Sequence, residues 1–121
     1  MVSTSPQLLE RVEDRVRAYA MELERLGVPV ERIILFGSHA RGDAGQDSDV
    51  DLAVFSECFG RDDHLEFSGI LSAATWSTDP MIEALGFHPR VLRDVPRISF
   101  LSEILRTGRV VYQRPPSATA A

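Results

Sequence analysis

The sequence predicts an α+β (mixed α/β) fold in which helices pack against a small mixed sheet. Three observations carry that reading. A long opening segment has helical periodicity, two continuous apolar runs of strand length stand at residues 32–36 and 50–54, and further helical and strand patterns alternate to the end of the chain. Helices interspersed with strands bury their apolar faces most simply by packing on a shared sheet. A chain of 121 residues is long enough to bury one core and too short for a separate substrate domain. The expected organisation is one domain over residues 1–114 and a disordered tail over 115–121, where only Pro, Ser, Thr and Ala occur.

Ser5 and Pro6 offer an N-cap and a first-turn proline, and Leu8, Leu9, Val12, Val16, Tyr19, Ala20, Leu23 and Leu26 then recur at helical spacing until Gly27 and Pro29 stop them. The opposite face carries charges of both signs, as a solvated surface does. The run 32–36 reads as the first strand and 50–54 as the second, with Asp49 and Asp51 at its start. Residues 56–63 read as a polar loop. Leu65, Phe67, Ile70, Leu71 and Ala74 place a helix over residues 64–76, and Asp79-Pro80 looks like the cap and first turn of another short helical piece. Val91, Leu92 and Val95 suggest a third strand over residues 87–95, bent or held at an edge by Pro89. Ile98, Leu101, Ile104 and Leu105 form a last helix, ended by Gly108 before a short strand at Val110, Val111 and Tyr112.

Thirteen Lys and Arg against 18 Asp and Glu give a formal net charge of -5, which argues against sequence-independent binding to DNA or RNA. The single cysteine, Cys58, excludes an internal disulfide and a cysteine-built zinc site. No basic segment followed by an apolar stretch opens the chain and no run approaches membrane-spanning length, so a soluble cytoplasmic protein is expected.

Sharp chemistry concentrates in residues 37–51. Gly37 and Ser38 leave the first strand in a turn that lets backbone approach a ligand, and a helix starting at Ser38 would aim free N–H groups at a phosphate. Asp49 and Asp51 are one residue apart, so in a strand they share a face. Two like charges beside a core cost stability unless a cation lies between them, and Mg²⁺ favours carboxylate oxygens together with substrate phosphates. A plain turn, with Asp47, Ser48 and Asp49 bonded to their own backbone, is the structural alternative. Arg41 could approach a triphosphate or pair with Asp43 or Asp47.

Gly37-Ser38, then Ala40-Arg41-Gly42, Ser48 and Asp49-Val50-Asp51, resembles the signature of the DNA polymerase beta-type nucleotidyltransferase superfamily, and most closely its minimal nucleotidyltransferases. The resemblance implies a mixed sheet, a triphosphate held by Gly37, Ser38, Arg41 and Ser48, and Mg²⁺ held by the catalytic pair Asp49 and Asp51. It implies transfer of a nucleotidyl group from an NTP, with ATP expected, and loss of pyrophosphate. It further implies an acceptor on a HEPN-type protein partner, as in toxin-antitoxin pairs, possible oligomers, and a third carboxylate from a later strand. Residues 86–92 hold no acid; Glu83 and Asp94 flank that segment, and His88 could serve as base or ligand. A catalytically idle binding module that acts on its partner by contact is the alternative. Transfer to a small molecule is less expected, since such enzymes generally need an added helical domain, and the acidic charge disfavours a polymerase.

Overall fold

The computed structural model describes residues 6–45, 47–60 and 64–115, with backbone alone at 6–10 and 64–68. The elements are α1 (Pro6–Arg25), β1 (Arg32–Phe36), α2 (Ser38–Arg41), β2 (Val50–Phe55), α3 (His64–Thr78), β3 (Ile82–Phe87), a 3₁₀ turn (Pro89–Arg93), α4 (Phe100–Thr107) and β4 (Arg109–Gln113). Of the expected tail over 115–121, residues 116–121 lie outside the described residues. No described helix is long and apolar enough to cross a membrane.

The sheet runs β3-β2-β1-β4. β1 pairs antiparallel with β2 and β4, whereas β2 and β3 are parallel and need α3 as their crossover. Alternation along β1 and β2 explains why residues 33–36 and 52–55 are apolar throughout. Ile33, Leu35, Leu52 and Val54 face α1 and α3, while Ile34, Ala53 and Phe55 face Leu101 and Ile104 of α4. Both central strands are covered on both sides, so neither has a polar face. Asp51 has the parity of Ala53 and Phe55 and thus lies on the α4 side of the sheet.

Helix α1 buries Val12, Val16, Tyr19, Ala20 and Leu23. The Tyr19 hydroxyl donates to the Leu71 carbonyl at 2.8 Å, tying α1 to α3. Helix α4 starts at a capping box between Ser99 and Ser102. It ends at Gly108, where a Cβ would lie 2.5 Å from the Ile104 carbonyl and 2.6 Å from the Ile34 side chain. Only glycine lets the chain turn from α4 into β4 so close to β1.

Two expectations need correcting. The third strand is Ile82–Phe87, not residues 87–95: Pro89 opens a 3₁₀ turn in which His88 Nδ1 accepts the Arg90 N–H at 3.0 Å. Asp79-Pro80 opens no helix. The Asp79 carboxylate accepts the Met81 N–H at 3.0 Å and pairs with Arg15 of α1, making the tight turn into β3.

Burial pushes the Asp79 carboxyl up, and the Arg15 hydrogen bond, the Met81 N–H and the Arg15 charge together outweigh burial and hold it below its ordinary value. A depressed carboxyl stabilises the fold above its unfolded pKa of about 4 and ceases to do so as pH falls through the folded value. Asp79→Asn therefore costs roughly 1 to 2 kcal/mol at pH 7, between exposed and buried ion pairs. The loss shrinks as pH drops below about 4, which urea melts of both proteins at pH 7 and pH 3 will show.

Candidate functional site

Gly37 ends β1 with φ 78° and ψ -154°, a conformation that is nearly glycine-only. A Cβ there would stand 2.2 Å from Asp51 Oδ2. The absence of a side chain thus brings the turn directly against the carboxylate on the neighbouring strand. Ser38 begins the four-residue helix α2, whose start no side chain caps, and Gly42 closes it in the left-handed region at φ 84°. The turn-and-helix expectation for Gly37 and Ser38 matches what the chain does.

Register then places three side chains in one row. Phe36 of β1 lies opposite Asp51 of β2, and Asp51 lies opposite Glu83 of β3. Asp49 immediately precedes β2, and its carboxylate stands near enough to the Glu83 carboxyl to shift it. Asp49, through hydrogen bonding and then its charge, is the first cause holding the Glu83 carboxyl above its ordinary value, followed by desolvation and the Asp51 charge. Asp51 is also raised, first by burial and then by Asp49, against the opposing charges of His39 and Arg41. Asp49, Asp51 and Glu83 therefore converge at the mouth of the Gly37 turn. The expected strand over 87–95 leaves Glu83 flanking it; with β3 at Ile82–Phe87, Glu83 lies within the strand, opposite Asp51.

Of the other expected residues, Arg41 pairs with Asp43 at 3.3 Å, each side chain more than half exposed. Such a pair is weak and easily exchanged for another anion. Ser48 Oγ accepts the Gly45 N–H at 2.8 Å, shaping the loop before Asp49. Its hydroxyl belongs to that loop rather than to the Gly37 turn. Neither His88, in the 3₁₀ turn, nor Asp94, just after it, is among the groups that bear on these acids.

His39 carries a role that sequence reasoning missed. It is 4% exposed, and its Nε2 lies 3.3 Å from the Ser48 carbonyl. A carbonyl only accepts, so Nε2 bears the proton. The imidazole thereby spans from α2 to the residue preceding Asp49, and its Nδ1 is buried without a partner among the described residues. A histidine in a short turn has no periodicity to reveal its burial.

Asp49 and Asp51 suit a hard divalent cation, because they offer carboxylate oxygens whose mutual repulsion such an ion relieves. Among the described residues no group of three His, Cys, Asp or Glu side chains closes into a metal cage. That is no obstacle for Mg²⁺, which is commonly held by one or two carboxylates, substrate phosphates and water.

The family model for the nucleotidyltransferase domain matches residues 16–106. The chain belongs to that nucleotidyltransferase domain family. Two solved structures share the fold at low identity. A crystal structure from Sulfolobus solfataricus, provisionally assigned as a nucleotidyltransferase, superposes with TM-score 0.62 at 15% identity, covering 86% of this chain and 82% of that one. A toxin-antitoxin structure with AMP-PNP gives TM-score 0.54 at 19% identity, covering 84% of this chain and 73% of that one. No curated protein sequence matches this chain closely enough to count as a relative.

Proposed function

We propose that this chain is an Mg²⁺-dependent nucleotidyltransferase that moves AMP from ATP to a hydroxyl on a HEPN-type protein partner, in the manner of a toxin-antitoxin pair. The observation that carries the reading is the convergence of Asp49, Asp51 and Glu83 beside the Gly37-Ser38 turn. Membership of the nucleotidyltransferase family and likeness to the toxin-antitoxin fold support it. A cytoplasmic setting goes with such chemistry.

In this reading the uncapped start of α2 and the Ser38 hydroxyl receive the β- and γ-phosphates, which Gly37 allows to approach the backbone. Arg41 exchanges its exposed Asp43 partner for phosphate oxygen. Asp49 and Asp51, with Glu83 beside them, would hold Mg²⁺, which neutralises phosphate charge when bound. Burial and the Asp49 charge raise the Asp51 carboxyl, and His39 and Arg41 offset part of that rise. The acceptor oxygen bonds to the α-phosphorus, the bond to the β-phosphate oxygen breaks, and pyrophosphate leaves. The acceptor proton passes to a Glu83 carboxylate oxygen. A site without a third acid would favour the idle-module alternative, and Glu83 beside the pair supports the transferase reading instead.

The test is incubation of the protein with Mg²⁺, ATP labelled at the α-phosphate and the protein encoded beside it. Label on the partner, lost in the Asp49→Asn, Asp51→Asn double variant, is the expected result. Association of the two proteins with no label transfer in any condition contradicts the reading.

A further inference from the structure

A groove of about 720 Å³ opens from the acids and wraps around the free edge of the sheet. On the α4 side it is walled by Phe36, Asp51, Glu83 and Phe100, and on the α3 side by Thr75 and Trp76. Phe36 and Phe100 meet edge to face at 5.6 Å, with Phe100 still 58% exposed, while Trp76 is 79% exposed. Among the described residues no Lys, Arg or His lines the groove, and its ionisable groups are two acids. Those two acids favour a neutral or basic group on whatever fills the rest of the groove.

The rim of the groove is β3 itself, an edge strand. The Val50 N–H donates to the Met81 carbonyl and the Ser56 N–H to the Phe87 carbonyl, so odd-numbered residues of the β3 segment face β2. Even-numbered residues present their backbone outward. Ile82 is already engaged, its N–H with the Asp79 carbonyl and its carbonyl with Thr75 Oγ1 at 3.3 Å. Ala84 and Gly86 remain as the outward positions. The strand Ile82–Phe87 contains no Pro, Lys or Arg, the residues that usually blunt an exposed edge.

We infer that an extended segment of the protein partner, neutral or basic in charge, adds as a strand along Ala84–Gly86 and so delivers the acceptor hydroxyl to Glu83. This rests on the transferase reading for what is delivered, though strand addition itself does not. A planar nucleobase would use one face of the edge. An added strand sends alternate side chains to opposite faces, which is how the groove is built.

Amide hydrogen exchange on the full chain tests this, with the purified protein encoded beside it as the probe. Partner addition slows exchange at the Ala84 and Gly86 amides by about tenfold or more, whereas ATP analogue with Mg²⁺ leaves them unchanged. Ala84→Pro removes one outward N–H without touching the ladder to β2, and it weakens partner binding by about tenfold while ATP affinity stays within about twofold. Trp76→Ala, at an exposed position that should not impair folding, weakens partner binding in the same direction. Partner binding without protection at these amides overturns the inference, as does no partner binding at all. Protection by ATP analogue alone would assign the groove to the nucleobase, and protection that rises with protein concentration alone would assign it to a second copy. Label transfer is read separately, so strand addition without transfer would fault the chemistry and leave the docking intact.

Discussion

Glu83→Gln lowers nucleotidyl transfer by about a hundredfold or more, the range expected when a positioned acid-base group is lost. The amide keeps the shape and cannot take a proton at neutral pH. Asp51→Asn should be at least as damaging, because Asp51 lies opposite Glu83 and directly against the Gly37 turn. Neither change should destabilise the fold. Each removes a like charge from a cluster whose members already raise one another's pKa, so the thermal midpoint holds or rises while activity falls. That opposed pair of readouts separates a functional acid from a structural one. Loss of both activity and stability would mean that the carboxylates hold the loop before β2 in place.

Gly37→Ala has the second large effect. The backbone strain alone is of order 1 to 3 kcal/mol. The added methyl would also lie 2.2 Å from Asp51 Oδ2, so the carboxylate must rotate away from its position beside Asp49. A total loss of about 2 to 3 kcal/mol is expected in denaturant melts, together with loss of ATP binding. Gly27→Ala is the matched control. Gly27 also has positive φ, 95°, yet nothing lies within 4 Å of its would-be Cβ. It should cost only the backbone term, about 1 kcal/mol, and leave ATP binding intact.

The parts legible in the sequence were those with strong local signals. α1 runs from the expected Pro6 to just short of Gly27, and β1 occupies the expected Arg32–Phe36, because a broad apolar stripe and an unbroken apolar run each fit one element type. Asp49, Asp51, Gly37 and Ser38 were visible as chemistry because their residue types are poorly suited to a core strand and its turn. β3 was not visible where it lies. Ile82–Phe87 contains Glu, Ala and Leu, good helix formers, and as an edge strand it alternates only weakly between buried and exposed. Val91 and Val95 supplied the β-branched residues a strand would have, and Pro89 turned that segment into a 3₁₀ turn instead. The displacement hid Glu83, whose importance depends on register with Asp51, a long-range fact that no local pattern records. The groove along β3 was hidden for the same reason.

The measurement that bears most directly on a nucleotide-metal site is Mn²⁺ binding followed by electron paramagnetic resonance, with Mn²⁺ as the probe for Mg²⁺. Weak binding to the protein alone, tightened at least about tenfold by a non-hydrolysable ATP analogue and abolished by Asp51→Asn, is the predicted result. Analogue binding that is indifferent to the divalent ion and unaffected by Asp51→Asn would contradict the account.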